Sequence, residues 1–132
     1  MKIHVVVGII RNKSNQVLIA ERPAHTYKGG LWEFPGGKIE IDESALTALE
    51  RELHEELGIH IEAAHNWFSF EYDYVDRLVL LDIWEVTHFS GVPHGAEGQK
   101  VKWVEIKDLN QFEFPAGNKI ILEKLQLSTT RE

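Results

Sequence analysis

The sequence predicts an α/β domain in which two helices sandwich a mixed β-sheet. Segments rich in β-branched and apolar residues, typical of strands, occur before, between and after two segments with helical periodicity. The chain has 132 residues, 43% of them hydrophobic, and no cysteine. A chain of this length can bury one core without disulfides or cysteine-bound zinc. We therefore expect a single domain over residues 1–132.

The first third of the chain is predicted to form short strands around a loop. Apolar and largely β-branched runs mark strands at residues 3–10, 17–20 and 31–34. A polar turn at 12–16 separates the first two strands, and a loop is expected at 22–30. The triplet Pro35-Gly36-Gly37 then interrupts regular structure, because glycine reaches backbone angles that other residues avoid.

An amphipathic helix is predicted from about residue 43 to residue 57. Its apolar side consists of leucines spaced three or four residues apart, namely Leu46, Leu49, Leu53 and Leu57. Asp42 suits the N-cap position because its side chain can accept from a free N–H of the first turn. Gly58 suits the position just after the helix, where the backbone is commonly left-handed.

The second half of the chain is predicted to contain four strands and a final helix. The strands are residues 59–62, 67–75, 78–86 and 101–106, with a hairpin turn at Asp76-Arg77. The last helix follows Pro115, and its apolar side is expected to comprise Ile120, Ile121, Leu122, Leu125 and Leu127. Two helices are sufficient to cover both faces of the predicted sheet.

The charge balance disfavours several functions. The chain carries 14 Lys and Arg residues against 21 Asp and Glu residues, a net charge of −7. Polymeric nucleic acid is bound mainly by basic surface, so we expect no such partner. We also expect no signal peptide and no membrane association, because no window reaches the ~18 apolar residues of a membrane helix. A cytoplasmic protein that reaches an anionic substrate through a metal ion is the expectation.

Three carboxylates share one face of the first predicted helix. Glu52, Glu55 and Glu56 fall within an arc of about 100°, away from the leucines. Like charges at these spacings weaken a helix, and no Lys or Arg lies four residues from Glu52 or Glu56 to neutralise them. From the helix alone, this face is either a solvated acidic surface or a site for a hard cation such as Mg²⁺.

These glutamates belong to a longer motif. Its first part is Gly37-Lys38-Ile39-Glu40-Ile41-Asp42-Glu43, and seven residues later comes Arg51-Glu52-Leu53-His54-Glu55-Glu56-Leu57-Gly58-Ile59. The two parts match every fixed position of the Nudix box: Gly, five residues, Glu, seven residues, Arg-Glu, aliphatic, any, Glu-Glu, any, Gly, aliphatic. A match of this length in a strand, loop and helix context is specific. The chain therefore resembles the Nudix hydrolases.

The resemblance implies a fold, a cofactor and a set of ligands. The fold is an α/β/α sandwich with a mixed sheet, and the cofactor is Mg²⁺, with Mn²⁺ as the alternative. The implied metal ligands are Glu52, Glu55, Glu56, Glu97 and a carbonyl of Gly36 or Gly37. Glu52 and Glu97 are both candidates for the catalytic base. In the family the box arginine pairs with the first glutamate, here Arg51 with Glu43, in a structural role.

Four other segments resemble the members of the family that hydrolyse 8-oxo-dGTP. They are residues 7–12, 33–40, 97–99 and 114–118. The resemblance implies water attack at the β-phosphorus, which yields 8-oxo-dGMP and pyrophosphate and prevents mutation by removing an oxidised DNA precursor. The residues that would bind the substrate are Arg22, Phe34, Arg77 and Asn118.

These residues also have simpler interpretations. Asn118 could recognise the O6 and N7–H edge of 8-oxoguanine with one donor and one acceptor, or it could cap the last helix. Phe34 could stack on a base or pack in the core, and Arg22 could hold phosphate or be a surface charge. Arg77 could serve only the hairpin, and Glu97 could be an ordinary loop glutamate.

Two alternative functions stay open at this point. One is a Nudix hydrolase for another nucleotide, such as CTP or a modified pyrimidine triphosphate, which lacks the five-membered ring that Asn118 would recognise. The other is a noncatalytic Nudix module that binds a nucleotide or a protein, although the intact box disfavours it. For the hydrolase we expect a small-molecule nucleoside triphosphate partner and a monomer.

Overall fold

The strands form two sheets, of which the larger is mixed. A computed structural model of the chain describes residues 2–22 and 29–130. The strands are β1 Lys2–Ile10, β2 Gln16–Glu21, β3 Trp32–Glu33, β4 Gly36–Lys38, β5 His60–Tyr74, β6 Arg77–Ser90 and β7 Val101–Glu105. The larger sheet has the order β4-β1-β6-β5, in which only β1 and β6 are parallel neighbours. The smaller, antiparallel sheet has the order β3-β2-β7.

Two helices, α1 Ala45–Leu57 and α2 Ala116–Thr130, pack on opposite sides of β1. Side chains alternate along β1, so that Val6 and Ile10 join the core under α1 while Val7 and Ile9 join the core under α2. The predicted sandwich with a mixed sheet is confirmed. The separate second sheet was not predicted, because the pairing of β2 with β7 joins segments that are far apart in the sequence.

The helix α1 begins at Ala45, about two residues later than predicted. Ser44, and not Asp42, is its N-cap, and the Ser44 Oγ accepts from the Thr47 N–H at 3.1 Å. Asp42 instead occupies a left-handed turn position with φ 66°. The prediction for Gly58 is confirmed, because this residue is left-handed with φ 71° and its N–H donates to the His54 oxygen at 3.0 Å.

The predicted strands at 59–62 and 67–75 are one continuous strand, β5. The ladder between β5 and β6 continues through the intervening residues by means of register shifts, one of them between Asn66 and Phe68. The hairpin turn is at 75–76, one residue earlier than predicted, and β6 extends to Ser90. A 3₁₀ helix, Ile106–Gln111, follows β7. Bulged pairing joined two segments that we predicted to be separate.

Burial corrects two predictions about helix faces. Leu46 is 36% exposed and Leu127 is 61% exposed, so neither belongs to the buried side of its helix. Leu127 lies two positions beyond the buried Leu125, which turns it to the opposite side of α2. Residues 23–28 lie outside the described part of the chain, so the loop predicted at 22–30 is described only at its two ends. No helix within residues 2–22 and 29–130 is long and apolar enough to cross a membrane.

Candidate active site

Arg51 lies at the centre of the acidic face of α1. Its Nε and Nη2 donate to the two carboxylate oxygens of Glu43 at 2.8 and 2.9 Å. Its Nη1 donates to Glu52 at 2.8 Å and to Glu55 at 3.1 Å. The hydrogen bonds that Glu43 accepts from Arg51 and from the Glu40 N–H lower the pKa of the Glu43 carboxyl to about 2. One guanidinium thus hydrogen-bonds to three carboxylates and lies 3.4 Å from a fourth, that of Glu40. Arg51 stands directly before Glu52 and four residues before Glu55, so the four-residue offsets from Glu52 and Glu56 do not include it.

Replacing Arg51 with Ala should lower the Tm by about 3–6 °C and also reduce activity. The reason is that three carboxylates lose a shared cation, and the Glu43 side chain among them is only 12% exposed. Since folding lowers the pKa of Glu43, its contribution to stability is present above pH 4.5 and is lost as the pH falls toward 2. The Tm values of the wild type and of Arg51→Ala, measured by thermal melts, should therefore converge as the pH falls from 4.5 toward 2.

Arg11→Ala is the matched control for Arg51→Ala. The Arg11 Nε makes an ion pair with Glu85 at 3.5 Å, far weaker in geometry than the bidentate contact of Arg51. Loss of this partly exposed ion pair and of the exposed hydrogen bond from Arg11 Nη1 to Asn15 should change the Tm by less than about 2 °C. If Arg51→Ala melts at the wild-type temperature, the structural role of Arg51 is wrong.

A second group of carboxyls gathers around Glu56. Partial burial raises the pKa of Glu56 to about 10, and the neighbouring Glu52 carboxyl adds to the rise, followed by the charges of Glu33 and Glu97. The structure thus brings Glu97, from the loop before β7, to the end of α1. Glu33 on β3 was not singled out from the sequence, although it stands directly before Phe34 in the glycine-turn segment.

The triplet Pro35-Gly36-Gly37, which we call the glycine turn, meets this group at Gly37. The prediction that the triplet interrupts regular structure is wrong for its two glycines, because both belong to strand β4. The backbone of Gly37 pairs with Val6 of β1, and a Cβ atom at Gly37 would collide with the Glu52 carboxylate. Only glycine therefore allows β4 to lie against the carboxylate. Gly36 precedes it in β4, where it pairs with Val7.

The donor set fits a hard cation, although the side chains are not arranged around one. Carboxylates and a backbone carbonyl of the glycine turn are oxygen ligands of the kind that Mg²⁺ prefers. Within the described ranges, no three acidic or histidine side chains converge as a ready metal site. Glu52 and Glu55 are bound to Arg51 instead, and Glu55 is half exposed. Glu56 interacts electrostatically with Glu52 and Glu97, while Glu55 is paired with Arg51.

All four residues predicted to bind the substrate line one cavity of about 230 Å³. The lining also includes Gly36 and Gly37, so the cavity adjoins the carboxylates. The four residues with a predicted role in substrate binding are Arg22, Phe34, Arg77 and Asn118. Sequence reasoning did not anticipate Tyr74, which also lines the cavity and whose hydroxyl accepts from the Gly117 N–H at 3.2 Å.

Asn118 is the third residue of α2, so the prediction that it caps this helix is wrong. Its Oδ1 accepts from the backbone N–H of Phe34 at 3.0 Å. The helix begins earlier, at Ala116, directly after Pro115, whose fixed φ suits a helix start. An Asn amide has two donors and two acceptor lone pairs, so capacity remains for a ligand in the cavity.

The other lining residues are held by neighbours. The Phe34 ring is 3% exposed and stacks on Phe114 with 5.3 Å between ring centroids, so it packs in the core. The Arg22 Nε donates to Glu33 at 2.7 Å, which links the cavity to the carboxyl group around Glu56. The Arg77 Nη2 lies 3.5 Å from the Asp76 Oδ2 at the hairpin. Arg77 also lines the cavity.

The sandwich, the acidic helix beneath the glycine turn and the adjoining cavity define an α/β/α domain with a cavity beside an acidic site. Within this class of domain, the chain belongs to the Nudix family, since the model of the NUDIX domain matches residues 6–124. Nudix hydrolases generally need a divalent metal ion.

Curated relatives and solved structures match nearly the whole chain. It is 39% identical over 125 residues to the 8-oxo-dGTP diphosphatase of Escherichia coli K12, covering 95% of this chain and 97% of that protein. It is 37% identical over 123 residues to the CTP pyrophosphohydrolase of the same organism, covering 93% and 91%. A solved structure from work on MutT of Aliivibrio salmonicida and Vibrio cholerae is 42% identical with a TM-score of 0.84, covering 94% and 96%.

Proposed function

We propose that this chain hydrolyses 8-oxo-dGTP to 8-oxo-dGMP and pyrophosphate. The proposal rests on one cavity, which is lined by Asn118 and by the two glycines of the glycine turn. The second of these glycines, Gly37, lies against the Glu52 carboxylate. A base held at Asn118 would leave its triphosphate free to reach the carboxylate group. The 39% identity to an 8-oxo-dGTP diphosphatase over nearly the full length supports the same substrate.

A divalent cation, Mg²⁺ or Mn²⁺, would be held by Glu52, Glu56, Glu97 and a carbonyl of Gly36 or Gly37, with Glu55 as a further ligand. When bound, such an ion stabilises charge on phosphoryl oxygens and makes a bound water more acidic. Glu52 or Glu97 takes the proton from the attacking water, which approaches the β-phosphorus in line with the departing nucleoside monophosphate. Arg51 holds Glu43 and so fixes the loop that leads into α1.

Base recognition depends on Asn118. Its amide would donate to O6 and accept from the N7–H that oxidation creates, whereas unmodified guanine presents two acceptors at this edge. The hydrogen bond from the Phe34 N–H orients the amide, because it occupies one lone pair of Oδ1. Arg22 and Arg77, which line the same cavity, are placed to contact the rest of the nucleotide.

A CTP-hydrolysing enzyme is the second candidate, because a CTP pyrophosphohydrolase is 37% identical to this chain. The two candidates differ at the base. Pyrimidines lack the five-membered ring, so Asn118 would have no N7 position to recognise. Substitution of Asn118 should then affect CTP turnover no more than turnover of other nucleotides.

We also propose a domain organisation, an oligomeric state and a cellular location for this chain. The chain acts as one domain, since both cores share β1, and we propose that it acts as a monomer. The proposed substrate belongs to the free nucleotide pool, which supports a cytoplasmic location. Removal of oxidised dGTP before replication would make it a DNA-repair enzyme in the broad sense.

The experiment that tests the proposal measures initial rates with a panel of nucleoside triphosphates. The panel contains 8-oxo-dGTP, dGTP, CTP and 5-methyl-dCTP, each with Mg²⁺, with Mn²⁺ and with a chelator. We expect the highest kcat/KM for 8-oxo-dGTP, pyrophosphate as a product, and no turnover with the chelator. A higher kcat/KM for a pyrimidine triphosphate would select the second candidate, and no turnover of any nucleotide would refute both.

A further inference from the structure

Glu97 lies on a loop that is held by hydrogen bonds more than by packing. We call residues 91–100, between β6 and β7, the Glu97 loop. Every residue of this loop is exposed or half-buried. A loop with no buried apolar side chain opens readily unless polar contacts fix it. The position of the Glu97 carboxylate therefore depends on those contacts.

Gln99 connects the Glu97 loop to the end of α1. Its Nε2 donates to the backbone oxygen of Glu56 at 2.9 Å, and its Oε1 accepts from the backbone N–H of Glu97 at 2.9 Å. One planar amide thus joins the backbones of Glu56 and Glu97. Glutamine suits this position because one side chain supplies both a donor and an acceptor.

The last carbonyls of α1 anchor the loop further. The Ala96 N–H donates to the Glu56 oxygen at 3.0 Å, and the His94 N–H donates to the Leu57 oxygen at 3.1 Å. Carbonyls in the last turn of a helix have no partner within the helix, so they are available to the loop. Gly95 allows the loop to fold tightly on itself, because a Cβ atom there would collide with the backbone oxygen of Gln99.

We infer that Gln99 is a positioning residue that keeps the Glu97 carboxylate beside Glu56 during hydrolysis. The inference rests on the role proposed above for Glu97. Proximity of Glu97 to the end of α1 is independent of that role, because Gln99 bonds both residues and the neighbouring Ala96 N–H also donates to the Glu56 oxygen. Gln99 itself bonds only backbone groups at these two residues, so it acts on the reaction through Glu97.

Gln99→Ala should lower kcat for 8-oxo-dGTP by about tenfold to a hundredfold, the cost of a misplaced reacting group. The test of positioning is a double-mutant cycle with Glu97→Gln. In that background Gln99→Ala should lower kcat by less than about twofold, because the carboxylate that Gln99 positions is already absent. Gln126→Ala is the matched control, since the Gln126 Nε2 also donates to a backbone oxygen, that of Ile106, at 3.1 Å.

A second measurement does not depend on turnover. Exchange of the Glu97 amide hydrogen, followed by NMR, should be faster in Gln99→Ala than in the wild type and unchanged in Gln126→Ala. Gln99→Glu serves if the alanine variant fails to fold. It keeps an acceptor for the Glu97 N–H but loses the donor to the Glu56 oxygen, so its kcat should also fall.

Two results would overturn the inference. One is a wild-type kcat in Gln99→Ala and Gln99→Glu, and the other is an equal loss of kcat from Gln99→Ala in the wild-type and Glu97→Gln backgrounds. If the wild-type chain hydrolyses no nucleotide of the panel, the proposed function fails and the catalytic part of this inference fails with it. The exchange measurement then still decides whether Gln99 holds the Glu97 loop.

Discussion

Glu56→Gln should lower kcat by about a hundredfold or more while the protein stays folded. Glu56 interacts with the carboxyls of Glu52, Glu33 and Glu97, so it is at the centre of the proposed metal-binding group. An amide is a much weaker ligand for Mg²⁺ than a carboxylate, and charge stabilisation by such an ion is worth several kcal/mol in the transition state. Steady-state rates with 8-oxo-dGTP over a range of Mg²⁺ concentrations measure the loss.

The same substitution should leave the Tm equal or raise it. Folding raises the pKa of Glu56 above its ordinary value of 4.5, so the ionised carboxyl destabilises the metal-free fold increasingly as the pH rises above 4.5. Glutamine removes that charge at nearly the same volume. Glu50→Gln, at an exposed position of the same helix, should change neither rate nor Tm. Rates near the wild-type value for Glu56→Gln at saturating Mg²⁺ would refute the assignment of the site.

Asn118→Ala should collapse the preference for 8-oxo-dGTP over dGTP. If Asn118 donates to O6 and accepts from N7–H, normal dGTP places an acceptor against the Asn118 oxygen. An unsatisfied buried polar group costs about 1–3 kcal/mol, which corresponds to a preference of roughly tenfold to a hundredfold from this residue. The alanine variant should therefore lose kcat/KM mainly for 8-oxo-dGTP, and the ratio of the two values is the measurement.

Stability has to be separated from recognition in this variant. Removal of Asn118 also leaves the Phe34 N–H without its acceptor, so Asn118→Ala should lose about 1 kcal/mol of stability in either case. Asn118→Asp keeps an acceptor for that N–H but lacks the amide donor. Its Tm should stay near the wild-type value while its kcat/KM for 8-oxo-dGTP falls. An unchanged substrate ratio in Asn118→Ala would refute the recognition role.

Features set by near neighbours in the chain were predictable. The spacing of Leu49, Leu53 and Leu57 predicted the buried side of α1, and Gly58 marked its end, because both depend on helix geometry alone. The N-cap was misplaced because Asp42 and Ser44 are both good caps, and only the contact of Ser44 with Thr47 distinguishes them. Similarly, the strand β5 was divided because bulges disturb the alternation that marks a strand.

The sequence by itself determined the fold class, the Nudix box and the acidic face of α1, since periodicity and motif spacing are local properties. Tertiary structure decided which distant groups meet. The bond between Phe34 and Asn118, the approach of Glu33 and Glu97 to Glu56, and the link from Gln99 to α1 all join different elements. Their partners are chosen by how the two sheets and two helices pack, because burial of the shared core sets those distances and no local pattern encodes them.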